Sequence, residues 1–110
     1  MFEAPSEDQL AELKAKHGND MRVVEVEDMT FVLALPDDDK KVATEFKRFV
    51  DLYDSGKKKE AFGSLFPAYC VYPEKEVVER VLRRRPGFQL VLGQCAAELL
   101  GVQATSVKKG

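Results

Sequence analysis

Apolar residues recur along this chain at two spacings, and the change from one to the other divides it into elements. Residues 6–18, SEDQLAELKAKHG, place Leu10, Leu13 and His17 on one face of a helix with polar residues elsewhere. Ser6 and Gln9 have the spacing of a capping box, Glu7 and Asp8 suit the positive end of the helix dipole, and Gly18 supplies a left-handed stop. The stripe is narrow, so this helix must lie on another element. The spacing then shortens. Arg22–Glu27 and Thr30–Leu35 are rich in β-branched residues, and only Asp28-Met29 separates them. That pattern predicts a β-hairpin, with the turn type open because neither Asn-Gly nor Asp-Gly is present. Pro36 ends the second strand, since it cannot donate to a ladder.

The helical spacing returns after Pro36. Asp37 to Asp39 provide an N-cap and an acidic first turn; Val42, Phe46, Phe49, Val50 and Tyr53 form one stripe; Gly56 closes the element. A stripe of this period is expected to face a core. Between residues 57 and 73, Ala61, Phe62, Leu65, Phe66, Tyr69 and Cys70 keep the helical period against Gly63 and Pro67. Proline is tolerated in a first turn, so the expected helix starts near Ser64, or is longer and kinked at Pro67. Tyr72-Pro73 should end it, because the residue before proline leaves the helical region. A charged helix over 73–87 buries Val77, Val78, Val81 and Leu82. The last one, over 87–101, carries Val91, Leu92, Cys95, Ala96, Leu99 and Leu100 with Glu98 as its one charge, and is expected to be the most buried element. The predicted fold is α+β and mostly helical, about five helices with one N-terminal two-stranded hairpin. Residues 1–101 form a single compact domain in this reading, and the patternless 102–110 a flexible C-terminal tail.

Composition narrows the function classes. Seventeen basic and nineteen acidic residues leave a net charge of −2, whereas nucleic-acid domains carry a basic excess. The acidic N-terminus, MFEAPSEDQL, is no signal peptide, and no apolar run reaches membrane-spanning length. Neither nucleic acid nor membrane is therefore an expected partner. Cys70 and Cys95 sit in apolar surroundings and read as small hydrophobes, with their redox state open.

The catalytic inventory is thin. His17 is the one histidine and falls in a last helical turn, where a cation suits the dipole. There is no phosphate loop, no Gly-x-Ser-x-Gly and no second cluster of ligands to join Asp37–Asp39. No enzyme activity, metal or cofactor is expected. Arg83 to Arg85 lie in a last turn, with Glu76–Arg80 and Glu79–Arg83 spaced as helical ion pairs, so a solvated helix face explains them. Lys57 to Lys59 read as a solvated loop.

Three short motifs carry a family resemblance: KAKHG at Lys14–Gly18 before the hairpin, CVYP at Cys70–Pro73, and the Pro86-Gly87 step before the last helix. With the order of elements, they make the chain resemble the small tail assembly chaperones of long-tailed bacteriophages, over about Leu10 to Gly101. The hairpin turn without glycine and Pro67 depart from that pattern. The resemblance implies a protein of the bacterial host cytoplasm that binds and solubilises the helical tape measure protein before the tail tube polymerises. Its implied partners are the tape measure protein, the tail tube protein as a second candidate, and further copies of itself. It also implies a longer form made by frameshifting, to which the Lys108-Lys109 pair would correspond. Two other classes share the small size and build: a permanent virion part, such as a head–tail connector or tail completion protein, and a non-phage protein-interaction adaptor. The candidate partner contacts are Phe62, Phe66 and Tyr69, on the element with the interrupted period, with Tyr72 and Arg84 at helix ends. Core filling accounts for the first three equally well.

Overall fold

The computed structural model describes residues 2–102. Helix α1, Glu7–His17, starts where the capping box predicts. Ser6 Oγ accepts from the Gln9 N–H at 3.1 Å, and Gln9 Oε1 accepts from the Ser6 N–H at 2.9 Å. None of its residues is buried, and it rests against the first strand through a short 3-10 turn, Gly18–Asp20. Strands β1, Met21–Val26, and β2, Met29–Ala34, form the expected antiparallel hairpin. Its two turn residues, Glu27 and Asp28, both have positive φ, 47° and 67°. Those signs are the ones a type I′ turn needs, here achieved without glycine.

Helix α2 follows expectation, and the elements after it depart from it in part. Helix α2, Asp39–Asp54, is capped by Asp38, whose Oδ1 accepts from the Lys40 N–H at 2.9 Å. Helix α3 then spans Lys58–Tyr69, with Pro67 inside it near its C-terminal end. Of the two readings of this stretch, the longer helix that contains Pro67 is the one found; it begins about two turns before Ser64. Lys58 and Lys59 are helical rather than loop residues. Residues 70–72 are not helical either: Cys70–Tyr72 form a third strand, β3, antiparallel to β2. The sheet order is β1-β2-β3, so the hairpin is part of a three-stranded sheet. Tyr72-Pro73 is cis and leads into α4, Lys75–Arg84, and then α5, Phe88–Leu99.

The central strand makes the core. All six residues of β2 are buried, which makes it, rather than α5, the most buried element; Val91 on α5 is 48% exposed. Register places Val24 opposite Phe31 and Val26 opposite Met29, so these residues share the sheet face that joins the core. Phe31 is the hub of that core. Its ring meets Phe2, Phe66 and Phe88 edge to face, at 5.3, 5.7 and 6.4 Å between centroids. Edge-to-face packing adds about 0.5–1.5 kcal/mol per pair beyond burial.

Helices α3 and α5 make the most extensive helix pair, and glycine is the reason. A Cβ at Gly93 would overlap the Phe62 carbonyl oxygen, so only glycine lets the two backbones approach. On the facing helix, the Gly63 carbonyl accepts from Gln89 Nε2 at 2.8 Å. Gly63 thus marks a close crossing, not the edge of a helix. The ion pairs predicted within α4 are not formed. Among the described residues Arg85 instead meets Glu27 at 3.5 Å, which ties the end of α4 to the hairpin turn, and Arg22 on β1 pairs with Glu98 on α5.

Candidate functional site

The structure sorts the aromatic residues into two groups. One surrounds Phe31 inside the core. The other runs from the core edge to the surface, where α2 meets α3: Phe46 stacks on Phe49 at 6.3 Å, and Phe49 meets the Phe62 ring edge to face at 5.2 Å. Tyr53 completes the group, 5.9 Å from Phe49 and 6.1 Å from Phe62. Only Phe49 of the α2 stripe is buried, while Phe46 remains 40% exposed and Tyr53 39%. The stripe expected to face a core is thus covered along one edge only. Its main neighbour is α3.

Beside this group runs a groove of about 350 Å³ between α2, α3 and α5. Phe49, Tyr53 and Phe62 form an apolar wall, Ala97 belongs to the lining, and Asp54 and Lys58 bring the charges. The Lys58 ammonium lies 5.2 Å from the centre of the Tyr53 ring, a cation–π arrangement that holds it at the groove. Val102 also lines the groove; it is half-buried, and its N–H donates to the Ala97 carbonyl at 3.1 Å. Residues 103–110, including most of the expected tail and Lys108-Lys109, lie outside the described residues.

The five residues singled out from the sequence do not form one surface. Phe66 and Tyr69 are fully buried in the core and offer nothing to a partner in this conformation. Phe62 is half-buried and belongs to the groove. Tyr72 is half-buried on β3, stacks edge to face on Phe2 at 6.2 Å, and donates its hydroxyl to the Glu3 carbonyl. It is a clamp on the N-terminal segment. Arg84 is exposed on α4 and, with Phe2, Val77, Arg80 and Val81, borders a smaller hollow of about 180 Å³.

Groove residues absent from that set include Phe49, Tyr53 and Lys58. Periodicity placed the first two on one stripe, but it does not tell a buried face from an open one. Lys58 was hidden because the start of α3 carries no capping side chain to announce a helix.

Three groups are held in their neutral forms by their surroundings. Burial, and then the Glu45 carboxylate, push the Tyr69 phenol up, with Arg48 opposing. Neither the Tyr69 hydroxyl nor Glu45 Oε1 has a hydrogen-bond partner. Burial pushes the Cys70 thiol up to about 12, with the Tyr72 backbone opposing. The Cys70 Sγ donates to the Tyr72 carbonyl at 3.2 Å. Burial also raises Cys95, with Arg22 opposing. Thiols kept in the neutral form are poor nucleophiles. Among the described residues, no three His, Cys, Asp or Glu side chains gather to hold a metal ion, and no helix is long and apolar enough to cross a membrane.

Compared with family models, curated proteins and solved structures, the chain matches none. The groove and its aromatic wall are therefore read on their own chemistry. An apolar trough beside a half-open amphipathic helix can seat the apolar side chains of another helix.

Proposed function

We propose that this chain is a phage tail assembly chaperone that holds a helical segment of the tape measure protein until the tail tube forms around it. One observation supports this most: a 16-residue amphipathic helix has a single buried residue and leaves aromatic side chains at the rim of an apolar groove. A long helical client exposes apolar stripes that aggregate unless they are covered. The groove supplies apolar surface of matching character, and the KAKHG, CVYP and Pro-Gly motifs point to the same family. Binding through one shallow groove is modest and reversible, which suits a protein displaced by tube subunits.

The test is co-expression with the tape measure and tail tube proteins of the same gene neighbourhood. The expected result is soluble tape measure protein recovered with this chain and lost without it. Failure to retain it, with this chain found instead as a ring in purified particles, would replace the chaperone by a permanent virion part.

A further inference from the structure

We infer that residues 2–5 are a latch for α4: while Phe2 is seated, α4 stays docked on the sheet, and when Phe2 leaves its seat, α4 detaches and unwinds while α3 and α5 remain packed. The latch is independent of the chaperone reading.

The seat is built from three elements. Residues 2–5 have no regular structure of their own, yet Phe2 is half-buried and Pro5 is buried. The Phe2 ring lies edge to face on Phe31 of β2 at 5.3 Å and on Tyr72 of β3 at 6.2 Å. On its other side is α4, since Phe2 shares the hollow of about 180 Å³ with Val77, Arg80, Val81 and Arg84. One side chain thus bridges the sheet and the helix. Tyr72 holds the segment a second time, through the hydrogen bond from its hydroxyl to the Glu3 carbonyl.

Little else holds α4. Among the described residues no other element packs extensively on it, whereas α3 packs on both α2 and α5. Two of its ten residues, Val78 and Val81, are buried. The ion pair just beyond its end, Arg85 with Glu27, is about half exposed on both sides and contributes little. A helix of ten residues is too short to persist alone in water, so α4 depends on its docking. Elements with few buried contacts open at free energies below that of global unfolding. Release bares Val77, Val78, Val81 and Leu82, so anything that draws Phe2 out of its seat exposes a second apolar surface.

The experiment is hydrogen exchange of the full chain, followed amide by amide with NMR at low urea. Amides inside α4 should exchange at least about tenfold faster than the slowest ones of α3 and α5, and with weaker urea dependence, because their opening exposes less surface. Phe2→Ala should speed α4 exchange about ten- to hundredfold, from the loss of two ring contacts. Phe2→Leu keeps apolar volume and should give a smaller rise; it replaces the alanine variant if that one does not fold. Tyr72→Phe keeps the ring, loses the hydroxyl and should speed α4 exchange about threefold. Gly93→Ala acts between α3 and α5, which stay packed when the latch opens, so it should speed their amides and leave those of α4 unchanged.

Three results would overturn the inference. If α4 exchanges at the rate of α3 and α5 in the parent, and Gly93→Ala speeds all three alike, the domain opens as one unit and Phe2 is an ordinary core residue. If α4 is fast but indifferent to Phe2→Ala and Phe2→Leu, the helix opens without unseating Phe2. If α4 amides are unprotected in the parent, the helix is not docked and there is nothing to latch.

Discussion

Gly93 shows how one residue sets the spacing of two helices. Its missing Cβ is what lets α5 approach the backbone of α3 at Phe62. Phe62 is also a wall of the groove, so the same contact that closes the core positions the candidate site. Gly93→Ala gains helix propensity of about 1 kcal/mol but forces backbone against backbone, and overpacking of this kind costs about 1–3 kcal/mol or more. Steric overlap with a carbonyl cannot be relieved by a rotamer change. The expected outcome is a net loss of about 1–2 kcal/mol in urea denaturation. Unchanged stability would mean that α3 and α5 separate freely and that the groove has no fixed width.

At the scale of elements, the hairpin is the clearest case of local strain accepted for a fold. Glu27 and Asp28 both occupy positive φ, which asparagine and glycine adopt more readily. The Glu27–Arg85 ion pair, with both side chains about half exposed, offsets little of this, since exposed pairs contribute about 0–1 kcal/mol. The double change Glu27→Asn with Asp28→Gly is therefore expected to stabilise the protein by about 1 kcal/mol, read as a higher midpoint in thermal denaturation. A lower midpoint would assign the ion pair a larger role in holding α4 to the sheet. Helix α2 makes the opposite case. It is well capped, yet it is held mainly by α3, and its aromatic edge is left open by the core.

For the whole molecule, the buried protonated groups set a direction with pH. Tyr69 lies in the core, Cys70 on β3 and Cys95 on α5, and burial raises all three above their ordinary values. A raised folded value means that the unfolded chain loses these protons first. The Cys70 contribution is fully present below the ordinary thiol value of 9.0 and is lost as pH rises toward about 12, its folded value. Cys70 contributes a slope of up to about 1.4 kcal/mol per pH unit inside that window. Thermal midpoints should therefore fall above pH 9, and Cys70→Ala should make the fall shallower. A midpoint that does not fall between pH 9 and 11 would show that Cys70 ionises as easily in the folded protein as in the unfolded one.

Much of the fold was legible in the chain itself, for a local reason. Caps, left-handed glycines and hydrophobic period act within one or two turns, so α1, the hairpin, α2, α4 and α5 are visible without any partner. What needed the tertiary structure is whatever depends on a distant neighbour. Cys70–Tyr72 is a strand because β2 offers an edge to it, although its residues continue the spacing of a helix. Gly63 and Gly93 sit inside helices because the crossing requires small residues, while read locally Gly63 opposes a helix. The α2 stripe is identical on paper whether it faces a core or stays open. Only the placement of α3 along one of its edges buried Phe49, left Phe46 exposed and set Tyr53 at a groove. Period and composition determine that a face is apolar; the packing of the remaining elements decides whether the protein itself covers that face or leaves it for a partner.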